Sequence, residues 1–73
     1  METKLDKLLR ALKLADGQYF TIRVRNEFMC HTETITWKHD DNAYKRKFIA
    51  MTYDDNLVNV GAPFISIVGW EFY

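Results

Sequence analysis

Thr3 to Asp16, TKLDKLLRALKLAD, constrains this chain more than any other stretch. Leu5, Leu8, Leu9 and Leu12 recur at i, i+3, i+4 and i+7, which lines them up along one side of a helix. Met1, Ala11 and Ala15 extend that stripe, while Lys4, Lys7, Arg10 and Lys13 cover the remaining circumference. Thr3 and Asp6 have the spacing of a capping box, with Asp a shorter-armed partner than the usual Glu. Asp16-Gly17 ends the pattern, since Gly17 can take the left-handed conformation that closes a helix. Leu14 falls off the stripe. The rest of the chain reads as strand, so the stripe has a sheet face as its destination.

Gln18 to Arg25 alternates strictly, with Phe20, Ile22 and Val24 in one phase and Tyr19, Thr21, Arg23 and Arg25 in the other. Asn26-Glu27 is a turn candidate. Phe28 and Cys30 share one phase, but Ile35 and Trp37 take the other, which calls for a bulge or break around Cys30 to Thr32. The second strand then runs to about His39, rich in β-branched residues. Asp40-Asp41-Asn42 is a turn by composition, because short polar side chains cap their own backbone. It leads to an expected third strand over 43–53. Asp54-Asp55-Asn56 repeats the turn composition. Leu57 to Pro63 is too short and too broken by Gly61 and Pro63 to make a long strand. Phe64 to Tyr73, FISIVGWEFY, is a last strand with apolar residues on both faces.

The expectation is an α+β fold: one N-terminal amphipathic helix on one face of an antiparallel sheet of about four strands, in the order α-β-β-β-β, with short connections favouring a meander. Residues 1–73 make a single domain. Cys30 is the lone cysteine, so no disulfide framework supports the core, and a reducing, cytoplasmic setting is expected. Charges interrupt the helix every two or three positions, so it does not read as a signal peptide or a membrane span. No membrane partner is expected.

Little in the chain points to catalysis. Cys30-His31 and His39, with Asp40 and Asp41, have metal-binding atoms, but they lack the paired-cysteine spacing of structural zinc sites. Cys30 and His31 are adjacent, and neighbours on a strand face opposite sides, which is wrong for a nucleophile–base pair. Ser66, the lone serine, has no nucleophile-elbow glycines around it, and Gly17, Gly61 and Gly69 are too isolated to form a phosphate loop. The expectation is no enzyme, no catalytic residue, no cofactor, no metal and no small-molecule substrate.

Ten basic and ten acidic residues give a net charge of zero, which argues against a binder that relies on phosphate neutralisation. Aromatic residues make up 15% of the chain, and such residues favour interfaces. One helix covers one sheet face, so a mixed aromatic and basic patch is expected on the other. Tyr19, Arg23, Arg25, Lys38, Arg46, Trp70 and Tyr73 are its candidate partner-binding residues. The expected function is a protein-interaction module, an inhibitor or modulator of a larger protein or nucleoprotein machine. It would bind through this patch or through acidic loops. Single-stranded nucleic acid stacked on the same face and a homo-oligomeric structural role, such as a homodimer, are the alternatives. The build resembles that of small phage-encoded proteins that redirect a host machine, a likeness of size and class alone. Because Arg23 and Arg25 oppose the core phase, replacing both by Ala should leave the fold intact. Thermal unfolding checks this, and a large loss of stability would mean that the strand's faces are assigned the wrong way round.

Overall fold

The computed structural model describes residues 2–15, 18–37 and 42–72. The Gly17 helix stop, the Asp40-Asp41 turn, Lys38, His39 and Tyr73 lie outside the described residues. In chain order the elements are α1 (Lys4–Leu14), β1 (Phe20–Asn26), β2 (His31–Trp37), α2 (Asn42–Thr52) and β3 (Ile65–Phe72). The class is α+β, with two helices and a three-stranded antiparallel sheet.

The α1 helix forms as its sequence dictates. Thr3 and Asp6 close the capping box in both directions: the Thr3 N–H donates to Asp6 Oδ2 at 3.1 Å, and the Asp6 N–H donates to Thr3 Oγ1 at 3.0 Å. Leu8, Leu12 and Ala15 are fully buried, with Leu5, Leu9 and Ala11 packed partly against them. Removing each leucine from water stabilises the fold by roughly 1.5–3 kcal/mol. Leu14, off the stripe, is exposed.

Two expectations are corrected. Residues 43–53, expected as a strand, form most of helix α2, and the sheet has three strands rather than four. The reason is legible in NAYKRKFIAMT. Ala43, Lys45, Arg46, Lys47, Ala50 and Met51 are strong helix formers, and Ile49 and Tyr53 recur at i and i+4. Both Ile49 and Tyr53 are buried. The sheet is also not a meander. Its order is β2-β1-β3, with β1 central and antiparallel to both neighbours, because α2 carries the chain from one side of β1 to the other.

The register explains how β3 serves one core although its sequence is apolar in both phases. Ile22 faces Trp70 and Arg23 faces Gly69, yet Val24 faces Ile67. Val68 is thus the extra residue of a β-bulge, and the phase of β3 changes across it. Trp70 on one side of the bulge and Ile67 and Ile65 on the other all join the face of Phe20, Ile22 and Val24. Both helices cover that face, α1 towards β3 and α2 towards β2. The core gathers Leu8, Leu12, Phe20, Ile22, Trp37, Ile49, Tyr53, Leu57 and Ile67.

The 53–60 segment closes the β3 side. Asp54 organises it: Oδ1 accepts from the N–H of Asn56 at 2.8 Å and of Val58 at 3.0 Å. Leu57 is held at φ 64 with its side chain 2% exposed. A left-handed backbone costs a leucine on the order of 1–2 kcal/mol, which burial of the side chain offsets.

Capping makes α1 sensitive to acid. The Thr3 backbone N–H, and after it the Thr3 side chain, holds the Asp6 carboxyl below its ordinary value of 3.8. A depressed folded pKa contributes stability that is present above 3.8 and lost as pH falls through the folded value. Melting temperature should therefore fall more steeply for the wild type than for Asp6→Asn on going from about pH 5 to about pH 3. Parallel profiles would remove this role for the box.

Candidate functional site

The face of the sheet turned away from the helices is not the aromatic patch expected from the sequence. Thr21, Arg23, Arg25, Thr32, Thr34, Thr36 and Glu71 occupy it. Most of its polar groups already have partners. Arg23 Nη1 lies 3.7 Å from Glu71 Oε1, and its guanidinium lies over Gly69, in the space that a Cβ there would take. Arg25 Nε lies 3.4 Å from Glu27 Oε1, and Arg25 Nη1 donates to Thr32 Oγ1 at 3.3 Å. The Thr21 and Thr36 hydroxyls are 2.9 Å apart. Trp70, expected on this face, lies on the opposite one and packs against the core, a consequence of the bulge. Tyr19 is exposed just before β1, and Arg46 sits on α2 with its Nε buried and unpartnered. Among the described candidates, Arg23 and Arg25 share the outer face of the sheet, whereas Trp70 and Arg46 lie elsewhere.

A different surface comes together along β2. This strand pairs with β1 on one side only, and six of its seven residues are exposed. Its edge is lightly guarded: there is no lysine, proline or bulge from His31 to Trp37, and Glu33 is the one carboxylate on its core-side phase. The opposite edge is partly taken. Val58 bridges Ser66, the Ile67 N–H donates to Leu57 O at 2.9 Å, and the Asn59 N–H donates to Ile65 O at 2.8 Å.

Above the Trp37 end of β2 lies α2. Lys45 Nζ sits 5.6 Å from the Trp37 ring centroid, and Trp37 tilts against Phe20 at 5.4 Å. Ile22, Ile35, Trp37, Lys45, Phe48, Ile49 and Tyr53 surround a cavity of about 70 Å³. Tyr44, Phe48 and Met51 form a second apolar row on α2 at i, i+4 and i+7, and all three are exposed. Ile35 on β2, which lines the same cavity as Phe48, is exposed as well. At the His31 end no helix covers the sheet. There Val24, Asn26, Met29, His31, Glu33 and Ile65 line an open groove of about 420 Å³.

The turn at the end of that groove settles the irregular phase of residues 28–34. Residues 27–30 form the hairpin loop, and Cys30 takes φ 50 immediately before β2 begins. The break expected within the strand is thus the loop itself. Cys30 Sγ lies 3.7 Å from Glu27 O, and Phe28 stacks at 5.9 Å on Phe64. Among the described residues no three His, Cys, Asp or Glu side chains are grouped as metal ligands, and no helix is long and apolar enough to cross a membrane.

The chain matches no known family model, no characterised protein and no solved structure in the comparisons made. The surface must therefore be read from its own chemistry. Reading 43–53 as a strand hid its aromatics. The 44/48/51 spacing, tested against a helix, is the signal that would have found them.

If the Tyr44–Phe48–Met51 row serves binding rather than folding, its substitution costs little. Tyr44→Gln with Met51→Gln should change unfolding free energy by less than about 0.5 kcal/mol, as surface substitutions do. Ile49→Ala, one position from Phe48 but buried, should lose about 2–5 kcal/mol. Chemical denaturation measures both, and a comparable loss for the two would place the row in the core.

Proposed function

We propose that this chain is a non-enzymatic protein-interaction module that takes a protein partner along the β2 edge and the adjoining face of α2. The observation that carries the reading is the juxtaposition of an exposed seven-residue edge strand, guarded by Glu33 alone, with the exposed row Tyr44, Phe48 and Met51. An edge strand offers a row of backbone donors and acceptors, which an incoming extended segment satisfies. Apolar side chains beside the edge give that segment something to bury, and aromatic anchors dominate such contacts. A role as inhibitor or modulator of a larger protein fits a domain of this size with no catalytic grouping. The lone exposed Cys30 suits a reducing interior. Nucleic-acid stacking loses its support, since the strands place no aromatic on the face of Arg23 and Arg25.

A photocrosslinking residue tests this directly. Benzoylphenylalanine in place of Phe48 should give discrete protein adducts in a cell lysate under illumination. The same probe in place of Arg10, on the solvent side of α1, should not. Absence of adducts specific to position 48 would exclude the surface.

A further inference from the structure

An antiparallel edge strand can pair with a second copy of itself across a two-fold axis, and here the side chains beside the edge single out one register. We propose that the chain forms a symmetric dimer in which β2 pairs with β2 of a second copy, centred on Ile35. This rests on the reading of the β2 edge as a protein-binding site, and it names the partner.

A two-fold axis perpendicular to the sheet keeps the helices of both copies on one side, so each residue must meet one of its own phase. Three registers centre near the middle of β2. Centring on Glu33 sets two carboxylates directly opposite each other, which is unfavourable. Centring on Thr34 puts Glu33 opposite Ile35, a carboxylate against an apolar side chain. Centring on Ile35 pairs the two Ile35 side chains, sets Thr34 beside Thr36 and brings Glu33 opposite Trp37. Lys45 Nζ already hovers 5.6 Å over that ring. Each Glu33 therefore meets the Lys45 ammonium of the second copy, twice by symmetry. Within one chain Glu33 and Trp37 are four residues apart on an extended strand, about 13 Å, so the pair belongs between copies. Among the described residues the ion-pair partner of Glu33 within its own chain is His31, at 3.6 Å and charged only when protonated.

The apolar surfaces agree with this register. Ile35, 41% exposed in the single chain, becomes buried on its own image, and Phe48 lies beside it. Both α2 helices then flank the axis on the same side of a continuous six-stranded sheet. Tyr44 at 69% and Phe48 at 51% exposure leave roughly 200 Å² of aromatic surface per copy. With Met51, Ile35 and the new ladder added on both copies, the contact approaches the ~1,000 Å² of a specific interface. Net charge is zero, so no long-range repulsion opposes association. The other edge offers no equivalent, because residues 57–59 already pair with Ile65–Ile67.

Sedimentation equilibrium of the purified full chain tests the proposal with four proteins: wild type, Glu33→Lys, Lys45→Glu and the double reversal. The wild type should be dimeric. Each single reversal should raise the dimer Kd by about tenfold or more, through two like-charge contacts per dimer. The double reversal should return it to within a few-fold of wild type. Circular dichroism establishes that each variant is folded. Should either reversal fail to fold, cysteine pairing answers the same question in a Cys30→Ser background. Ile35→Cys should then oxidise to a covalent dimer, and Glu33→Cys should not. A dimer indifferent to both reversals overturns the proposal. So does a wild type that stays monomeric at high micromolar concentration. A monomer whose position 48 still crosslinks to a different protein overturns self-pairing alone. A monomer with no adduct specific to position 48 removes the protein-binding reading with it.

Discussion

Val68 is the residue on which the packing turns. By inserting one residue between the Gly69–Arg23 and Ile67–Val24 pairs, it lets a strand that is apolar in both phases bury both sets on one side. Without the bulge, either Trp70 or Ile67 would face away from the helices. Two other features depend on it. Ile67 comes into register with the 53–60 segment, where its N–H finds Leu57 O. Gly69 falls under the Arg23 guanidinium, a place where only a residue without a side chain fits undisturbed.

With the apolar residues gathered on one face, the two helices divide the work of covering it. The α1 helix lies towards β3, where its Leu5 N–H also donates to Asp55 O at 3.3 Å. The α2 helix lies towards β2 and covers only the Trp37 end. Its seat is the less well satisfied half of the core. Trp37 Nε1 and Arg46 Nε are both buried there without hydrogen-bond partners, and each such orphan costs about 1–3 kcal/mol. The side of the core that holds these two unpartnered groups thus borders the β2 edge.

How much of this could be read in the sequence varies with the strength of local periodicity. The α1 stripe and the alternation of β1 were both legible, because each pattern is undiluted and agrees with its caps and turns. The face of Arg23 and Arg25 was correctly assigned for the same reason. The α2 helix was not legible, because its buried row (Ile49 and Tyr53) and its exposed row (Tyr44, Phe48 and Met51) lie on two sides, while its cations Lys45, Arg46 and Lys47 are consecutive and mark no single face. A helix that is apolar on two sides looks like a strand that is apolar on both. The candidate surface was lost with it, since the sheet was then credited with an extra strand and its open face with aromatics that the strands do not place there. The bulge at Val68 leaves no mark that alternation can detect. It is fixed by long-range pairing with β1, which no local pattern reports.

The two edges of the sheet differ in a way that bears on how large an assembly this chain can build. On β3 the chain's own 57–59 segment takes up the backbone at Ile65–Ile67, and the bulge skews the ladder just beyond. On β2 no described residue intervenes. A sheet with two open edges can add copies without limit and becomes a fibre, whereas a sheet with one open edge is used up by a single pairing event. The Asp54 turn, which holds residues 57–59 in place, therefore shields the Ile65–Ile67 half of the β3 edge as well as closing the core. A chain that lost that turn would expose the whole length of β3 to pairing.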